Sequence, residues 1–208
     1  MKWIAFWLVT GVLVLLTVLC VIAGTRKTDV KKLVMIAVMT AMSIVGRFVF
    51  AAIPGFKPVT AIVVITGMYL GWDAGFLCGA LTALISNCYF GQGPWTAFQM
   101  LLWALIGIGA GLLSGQLQTH KAVLVGYGIL AGILYSLIID VYSTIWMGGY
   151  FSPALYLTMV ATSLPYTILY AVSNVFFLLV LVAPMGRKLS HAMRCATMSV
   201  ARKPSANA

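Results

Sequence analysis

Acidic residues are nearly missing from this chain. Its 208 residues include three, namely Asp29, Asp73 and Asp140. Charged residues of both signs make up 8% of the chain and hydrophobic residues 62%, whereas a soluble globular protein is about a quarter charged and about half apolar. This shortage of charge excludes a soluble domain large enough to be an enzyme by itself. It is typical of an integral membrane protein.

Motifs for catalysis and metal binding are also missing. The sequence contains no G-x-S-x-G, no H-E-x-x-H and no paired acidic residues on one helix. It has no G-x-x-x-x-G-K-[ST], so the chain cannot itself be a P-loop ATPase. His120 and His191 have no other histidine and no acidic residue near them in the sequence, and the four cysteines form no C-x-x-C pair. We therefore predict no catalytic residue, no metal site, no disulfide and no cofactor in this chain.

Long apolar runs fill most of the sequence. A helix needs about 20 apolar residues to cross a bilayer, and fewer where its neighbours cover it. The first run carries its basic flank after it, at 25–32, which favours an anchor-like helix over a cleaved signal peptide. We predict an all-α integral membrane protein with seven spans, at 3–24, 33–53, 58–71, 74–90, 96–116, 122–146 and 155–184.

The basic residues lie in the short gaps between these runs. If 25–32 is cytoplasmic, ten of the thirteen Lys and Arg residues fall on the cytoplasmic side. Lys2 and Lys57 fall outside, and Arg47 lies within a span. The positive-inside rule then predicts a plasma-membrane protein with a cytoplasmic C-terminus. This placement explains the formal charge of +10 without a nucleic-acid partner.

Two ionisable residues lie inside predicted spans. Arg47 and Asp140 both fall in the outer half of the membrane, where a charge is costly and usually faces a cavity or a partner. One hypothesis is an Arg47–Asp140 pair that only locks helices together. The other is that one or both line a substrate pocket open to the outside.

Small residues recur at four-residue spacing on several spans. For the stripes Gly71–Gly75–Gly79 and Gly107–Gly111–Gly115, close helix packing is the expected role. A third stripe includes Asp140 and is more polar, so we interpret it as a pocket wall. Its members are Gly128, Gly132, Ser136, Asp140 and Thr144.

Glutamines accompany the aromatic residues near the outer ends of the helices. Interfacial Trp and Tyr are expected in any membrane protein, but Gln99 would be costly if it faced lipid. A pocket for a polar organic ligand combines these residue types. We predict that one outward cavity is formed by Arg47, Gln92, Trp95, Gln99, Asp140 and Trp146.

Three segments resemble the S-components of energy-coupling factor (ECF) vitamin transporters. They are Gly46-Arg47-Phe48, the run 56–62 (FKPVTAI) and the run 86–96 (SNCYFGQGPWT). The last is most similar to S-components assigned to cobalamin. The resemblance implies a six-helix core at 31–186, preceded by an extra anchor-like helix and basic loop at 1–30 and followed by a basic tail at 187–208.

The resemblance also implies a function. S-components bind one vitamin near the outer face, topple on docking, and release it inward. Their partners are a membrane T-component and two ATPase subunits, which use the ATP. An A-x-x-x-A motif usually faces the T-component and here matches Ala37 and Ala41. The substrate implied is cobalamin. The alternatives are riboflavin, pantothenate or a queuosine precursor, or a structural subunit of a membrane complex that transports nothing.

Overall fold

The computed structural model describes Gly11 and residues 30–201, with side chains over 30–194. Those residues form helices joined by short turns, and no strand occurs among them. The helices are α1 (Val30–Val49), α2 (Val59–Leu70), α3 (Trp72–Phe90), α4 (Pro94–Leu112), α5 (Ser114–Thr119), α6 (Lys121–Gly148) and α7 (Pro153–Ala201).

The prediction of an all-α membrane protein is confirmed. Four of the described helices are long and apolar enough to cross a bilayer: α1, α4, α6 and the part of α7 before residue 195. The shorter α2 is also apolar. The span predicted at 3–24 lies outside the described residues apart from Gly11, so it stays a prediction.

Helix α2 forms the centre of the bundle. Every one of its twelve residues except Tyr69 is buried, and α1, α3, α4 and α7 all pack against it. A helix of twelve residues is too short to cross a bilayer by itself. Because neighbouring helices cover α2 on all sides, it does not face lipid and does not need to be as long as the membrane is thick.

Glycines set the distance between α3 and α4. A Cβ added at Gly79 would lie 2.5 Å from the carbonyl carbon of Trp103, and one at Gly107 would lie 2.9 Å from the Cα of Gly75. Only hydrogen at these positions lets the two backbones approach so closely. The expected packing role is therefore confirmed at Gly75, Gly79 and Gly107, whereas a Cβ at Gly115 would meet no atom within 4 Å.

Helices α6 and α7 form a second seam. A Cβ at Gly132 would lie 2.8 Å from the backbone nitrogen of Ala171, and the Ser136 and Thr167 hydroxyls share a hydrogen bond of 2.6 Å. The stripe that contains Asp140 thus packs against α7. This corrects its interpretation as a pocket wall, since Gly132 is the one member that lines the cavity described below.

Helix α7 is much longer than a membrane crossing. Its 49 residues include Pro165 and Pro184 and continue through the basic segment after Gly186. The helix thus extends from the membrane part into the predicted basic tail, as far as Ala201.

Polar contacts tie together one end of the bundle. The Lys32 ammonium pairs with the Asp73 carboxylate at 2.6 Å, joining the start of α1 to the start of α3. The Gln118 amide donates to the Met68 carbonyl at 2.7 Å, joining α5 to the end of α2. Between α2 and α3 the chain turns at Gly71, whose φ of +101° favours glycine.

Candidate functional site

A cavity of about 130 Å³ lies at the other end of the bundle. It is lined by the end of α1, the loop that follows it, and helices α2, α4, α6 and α7. Its walls carry two cationic groups together with amide, hydroxyl and aromatic groups. The lining residues are Arg47, Gly55, Lys57, Val59, Thr60, Gln99, Trp103, Gly132, Tyr135, Tyr170 and Asn174.

Arg47 lies in the last turn of α1, where the helix dipole favours a positive charge. Its Nη1 donates to the Ser86 hydroxyl and to the Asn87 side-chain oxygen at 2.8 Å. The guanidinium carbon lies 4.7 Å from the centre of the Phe90 ring and 5.5 Å from that of Trp103. Two hydrogen bonds and two aromatic faces therefore fix the guanidinium group.

Asn87 connects the Arg47 side chain to α4. While its oxygen accepts from Arg47, its nitrogen donates to the Thr96 hydroxyl at 2.9 Å and to the Gln99 side-chain oxygen at 2.8 Å. The Gln99 nitrogen then donates to the Tyr135 hydroxyl at 3.2 Å. A continuous chain of hydrogen bonds thus orients the cavity side chains of α1, α4 and α6.

Lys57 reaches the cavity from the loop between α1 and α2. Its backbone N–H donates to the Ser173 hydroxyl at 3.0 Å, and that hydroxyl donates to the Lys57 carbonyl at 3.2 Å. Because Ser173 is buried on α7, these bonds fix the loop at this residue. The ammonium lies 5.7 Å from the Phe90 ring centre. Burial, and secondly the charge of Arg47, lower the pKa of Lys57.

Aromatic rings form the wall opposite the two cations. Tyr135 stacks on Trp103 with ring centres 5.6 Å apart, and the Tyr170 ring contacts Tyr135 edge-on at 5.5 Å. Asn174 donates its amide nitrogen to the Gly128 carbonyl at 3.1 Å, which leaves its amide oxygen for the cavity. The wall combines flat apolar surface with a few oriented polar atoms, as small-molecule sites do.

The structure brings together two of the six predicted site residues, Arg47 and Gln99. Gln92 is exposed, and its amide nitrogen donates to the Leu84 carbonyl of α3 at 2.8 Å. It also accepts a hydrogen bond from Thr96 at 2.9 Å, so it lies at the outer end of the network that starts at Arg47. The ring of Trp95 lies against Gly93. Neither Gln92 nor Trp95 lines the cavity.

Asp140 and Trp146 also lie outside the cavity lining. The Asp140 carboxylate accepts a hydrogen bond of 2.5 Å from Ser163 on α7. Trp146 stacks on Tyr142 one turn earlier, with ring centres 6.1 Å apart. Ligand contacts by these two residues stay predictions from the sequence.

The hypothesis of an Arg47–Asp140 ion pair is not supported by the structure. Among the described side chains the one ion pair within 4 Å joins Lys32 to Asp73. Arg47 bonds to Ser86 and Asn87 instead. The two intramembrane charges therefore have separate partners.

Several lining residues were missed by the sequence prediction. Lys57 and Thr60 lie in the run 56–62, which carries the family resemblance, and that signal could have identified them. Tyr170 and Asn174 are four residues apart, so they share one face of an otherwise apolar helix. Tyr135 had no such signal, because its role depends on contacts with α4.

The fold and the cavity define a class of protein: a multi-pass helical membrane protein with a polar, cationic pocket among its helices. Such a pocket provides charge and hydrogen bonds for binding.

Comparison with known families narrows this class. Residues 27–191 match the family described as the ECF-type riboflavin transporter, S component. The chain belongs to this family. The match confirms the resemblance to S-components. The family consists of transporter components and is not a family of enzymes. No curated protein and no solved structure matches the chain.

Proposed function

We propose that this chain is the substrate-binding subunit of an ECF-type importer, and that its cavity captures a vitamin from outside. The observation that carries this proposal is the cavity itself, where Arg47 and Gln99 are held by a hydrogen-bonded network within a family of transporter S-components. Under this proposal residues 31–186 form the six-helix core. The helix predicted at 3–24 is an addition to it, and the basic tail at 187–208 is cytoplasmic.

Cobalamin is our first candidate for the vitamin, on the resemblance of the run 86–96. Riboflavin is the second, because the matching family is described by it. Pantothenate and a queuosine precursor are further candidates. A cavity of about 130 Å³ is much smaller than a whole cobalamin molecule. For cobalamin it therefore encloses one substituent, with the rest of the ligand among the outer residues Gln92, Trp95 and Trp146.

A T-component and two ATPase subunits are the proposed partners, with ATP hydrolysed by the latter. Ala37 and Ala41 are exposed one turn apart on α1, while Ile36, Met39 and Thr40 face the core. A small-residue face of this kind allows another helix to approach closely. We propose it as the docking face for the T-component.

Uptake of radiolabelled vitamins into liposomes tests this function. We expect the chain alone to bind its vitamin without concentrating it, and the chain with all its partners to concentrate it when ATP is present.

Tryptophan at both Ala37 and Ala41 should abolish uptake and preserve binding. Tryptophan at the exposed Leu130 of α6 is the matched control. Concentrative uptake by the chain alone, or normal uptake by the double variant, would contradict the proposal.

A further inference from the structure

The cavity lining carries two positive charges, and no carboxylate is among the lining residues that the structure describes. Arg47 and Lys57 both line it, and both lie over the Phe90 ring, at 4.7 and 5.7 Å from its centre. Within the described part of the chain there are two carboxylates. Asp73 pairs with Lys32, and Asp140 accepts from Ser163; neither lines the cavity. Desolvated charges of one sign are costly unless an opposite charge joins them.

The hydrogen-bond network around Asn87 determines which lining groups donate into the cavity and which accept. The Gln99 oxygen is occupied by Asn87, so Gln99 presents its N–H groups. Tyr135 accepts one of them, which leaves its own hydroxyl proton to donate. Arg47 uses Nη1 for Ser86 and Asn87, and its remaining N–H groups are additional donors. Of the lining side chains whose hydrogen bonds fix their polarity, Arg47, Gln99 and Tyr135 present donors and Asn174 presents an acceptor.

We propose that the group of the substrate that enters this cavity is an anionic oxygen group, either a carboxylate or a phosphate. This rests on the proposed function, because it assigns the chemical class of the ligand at the same site. Two cations and several donors match the lone pairs and charge of such a group. The Asn174 oxygen would accept from a hydroxyl or N–H next to it.

The proposal discriminates among the candidate vitamins by their chemistry. Pantothenate carries a carboxylate, cobalamin carries a phosphodiester, and riboflavin carries no negative charge at neutral pH. Loss of one hydrogen bond to a charged group typically lowers affinity about tenfold to a hundredfold. Removing the charge at Lys57 should therefore be measurable in a binding titration.

Inorganic phosphate is a probe that does not depend on the identity of the vitamin. The full-length chain in detergent is titrated with phosphate or chloride at matched ionic strength, and its thermal midpoint is recorded. We expect phosphate to raise the midpoint saturably and chloride to leave it unchanged. Lys57→Gln should weaken the phosphate response at least tenfold. Lys57→Arg should restore it, because the charge returns to a position fixed by Ser173.

Lys121→Gln is the matched control, since Lys121 is exposed at the start of α6 and away from the cavity. It should respond to phosphate as the natural chain does. An equal response to chloride, no response to phosphate, or an undiminished response in Lys57→Gln would overturn the proposal.

Matched vitamin pairs extend the test to substrates. Pantothenate is compared with pantothenol, and riboflavin 5′-phosphate with riboflavin. The anionic member of a pair that binds should bind at least tenfold more tightly, and Lys57→Gln should remove that preference. Uptake of a neutral vitamin without any phosphate response would overturn the anion site and leave the importer function standing. A phosphate response without uptake of any vitamin by the complete transporter would support the anion site and overturn the importer function.

Discussion

The Asn87 side chain connects α1 with α4 through three hydrogen bonds, to Arg47, Thr96 and Gln99. It is almost fully buried. A buried polar group that loses its partners costs about 1–3 kcal/mol. Its contribution to the cavity is therefore positional, since it fixes the orientation of two lining residues.

Asn87→Ala should lower the free energy of unfolding by about 1–3 kcal/mol, because Arg47 and Gln99 each lose a partner. It should also weaken binding of whichever vitamin the chain captures. Thermal unfolding in detergent, followed by circular dichroism, measures the first effect and a binding titration the second. Cys88→Ala alters the next residue, which is exposed, and serves as the control. If Asn87→Ala and Cys88→Ala had equal thermal midpoints, the hydrogen-bond network would contribute little to stability.

For Asp140, the role predicted from the sequence differs from the contact seen in the structure. The sequence predicts a ligand contact, whereas the structure bonds its carboxylate to Ser163 across the α6–α7 seam. Asp140→Asn should lower the free energy of unfolding by about 1 kcal/mol, because a hydrogen bond to a charged group becomes a neutral one. Vitamin affinity should change less than about twofold.

Measuring stability and affinity on the same Asp140→Asn protein distinguishes a role in helix packing from a role in ligand binding. Ser163→Ala removes this hydrogen bond altogether and should lower stability at least as much, again with little change in affinity. A tenfold loss of affinity with unchanged stability would instead assign Asp140 to the ligand site.

At the scale of helices, the α3–α4 seam determines whether the cavity forms. Asn87 lies on α3 and Gln99 on α4, and their side chains bond at 2.8 Å. The close approach of Gly75 to Gly107 brings these helices together. Glycine is used here because any Cβ would separate the two backbones.

Gly107→Val should destabilise the chain by about 1–3 kcal/mol or more, because its side chain would overlap the backbone of Gly75. The control is Gly126→Val in α6, since a Cβ at Gly126 meets no atom within 4 Å. Thermal unfolding of the two variants in detergent makes the comparison. A Gly107→Val protein as stable as Gly126→Val would mean that the seam tolerates wider spacing.

At the scale of the whole molecule, the two ends of the bundle differ in their charges. Lys32, Lys121 and Arg187 lie at or near the end tied by the Lys32–Asp73 pair, and the cavity lies towards the other end. The positive-inside rule predicts that the first end is cytoplasmic. In this predicted orientation the cavity faces the outside, which the proposed importer function requires.

Accessible cysteines test this orientation. In a variant without its native cysteines, we place one at Ala52, in the loop before α2, or at Gln116, in α5. Both positions are exposed. An impermeant maleimide applied to intact cells should label Ala52→Cys only, and lysed cells should allow labelling of both. Labelling of Gln116→Cys in intact cells would reverse the proposed topology.

The elements of this fold could be predicted from the sequence because helices in a membrane are local structures. Most of the described helices satisfy their backbone hydrogen bonds internally and show their apolar length directly in the sequence. The predicted spans therefore match α1 to α4, α6 and the membrane part of α7, with differences of a few residues at most ends. The short polar helix α5 was not predicted as a separate helix. The glycine stripes likewise predicted close packing, since small residues at four-residue spacing have few other uses.

The site depended on the tertiary structure. Sequence spacing places residues on a face of one helix, but it does not show which helix that face meets. Gln99 faces the cavity because Asn87 and Tyr135 hold it, whereas Asp140 faces α7 because Gly132 lets that helix approach. The sequence by itself determined a helical membrane protein with polar groups inside it. Only packing between helices decided which of those groups share a cavity, because that depends on distances between segments far apart in the chain.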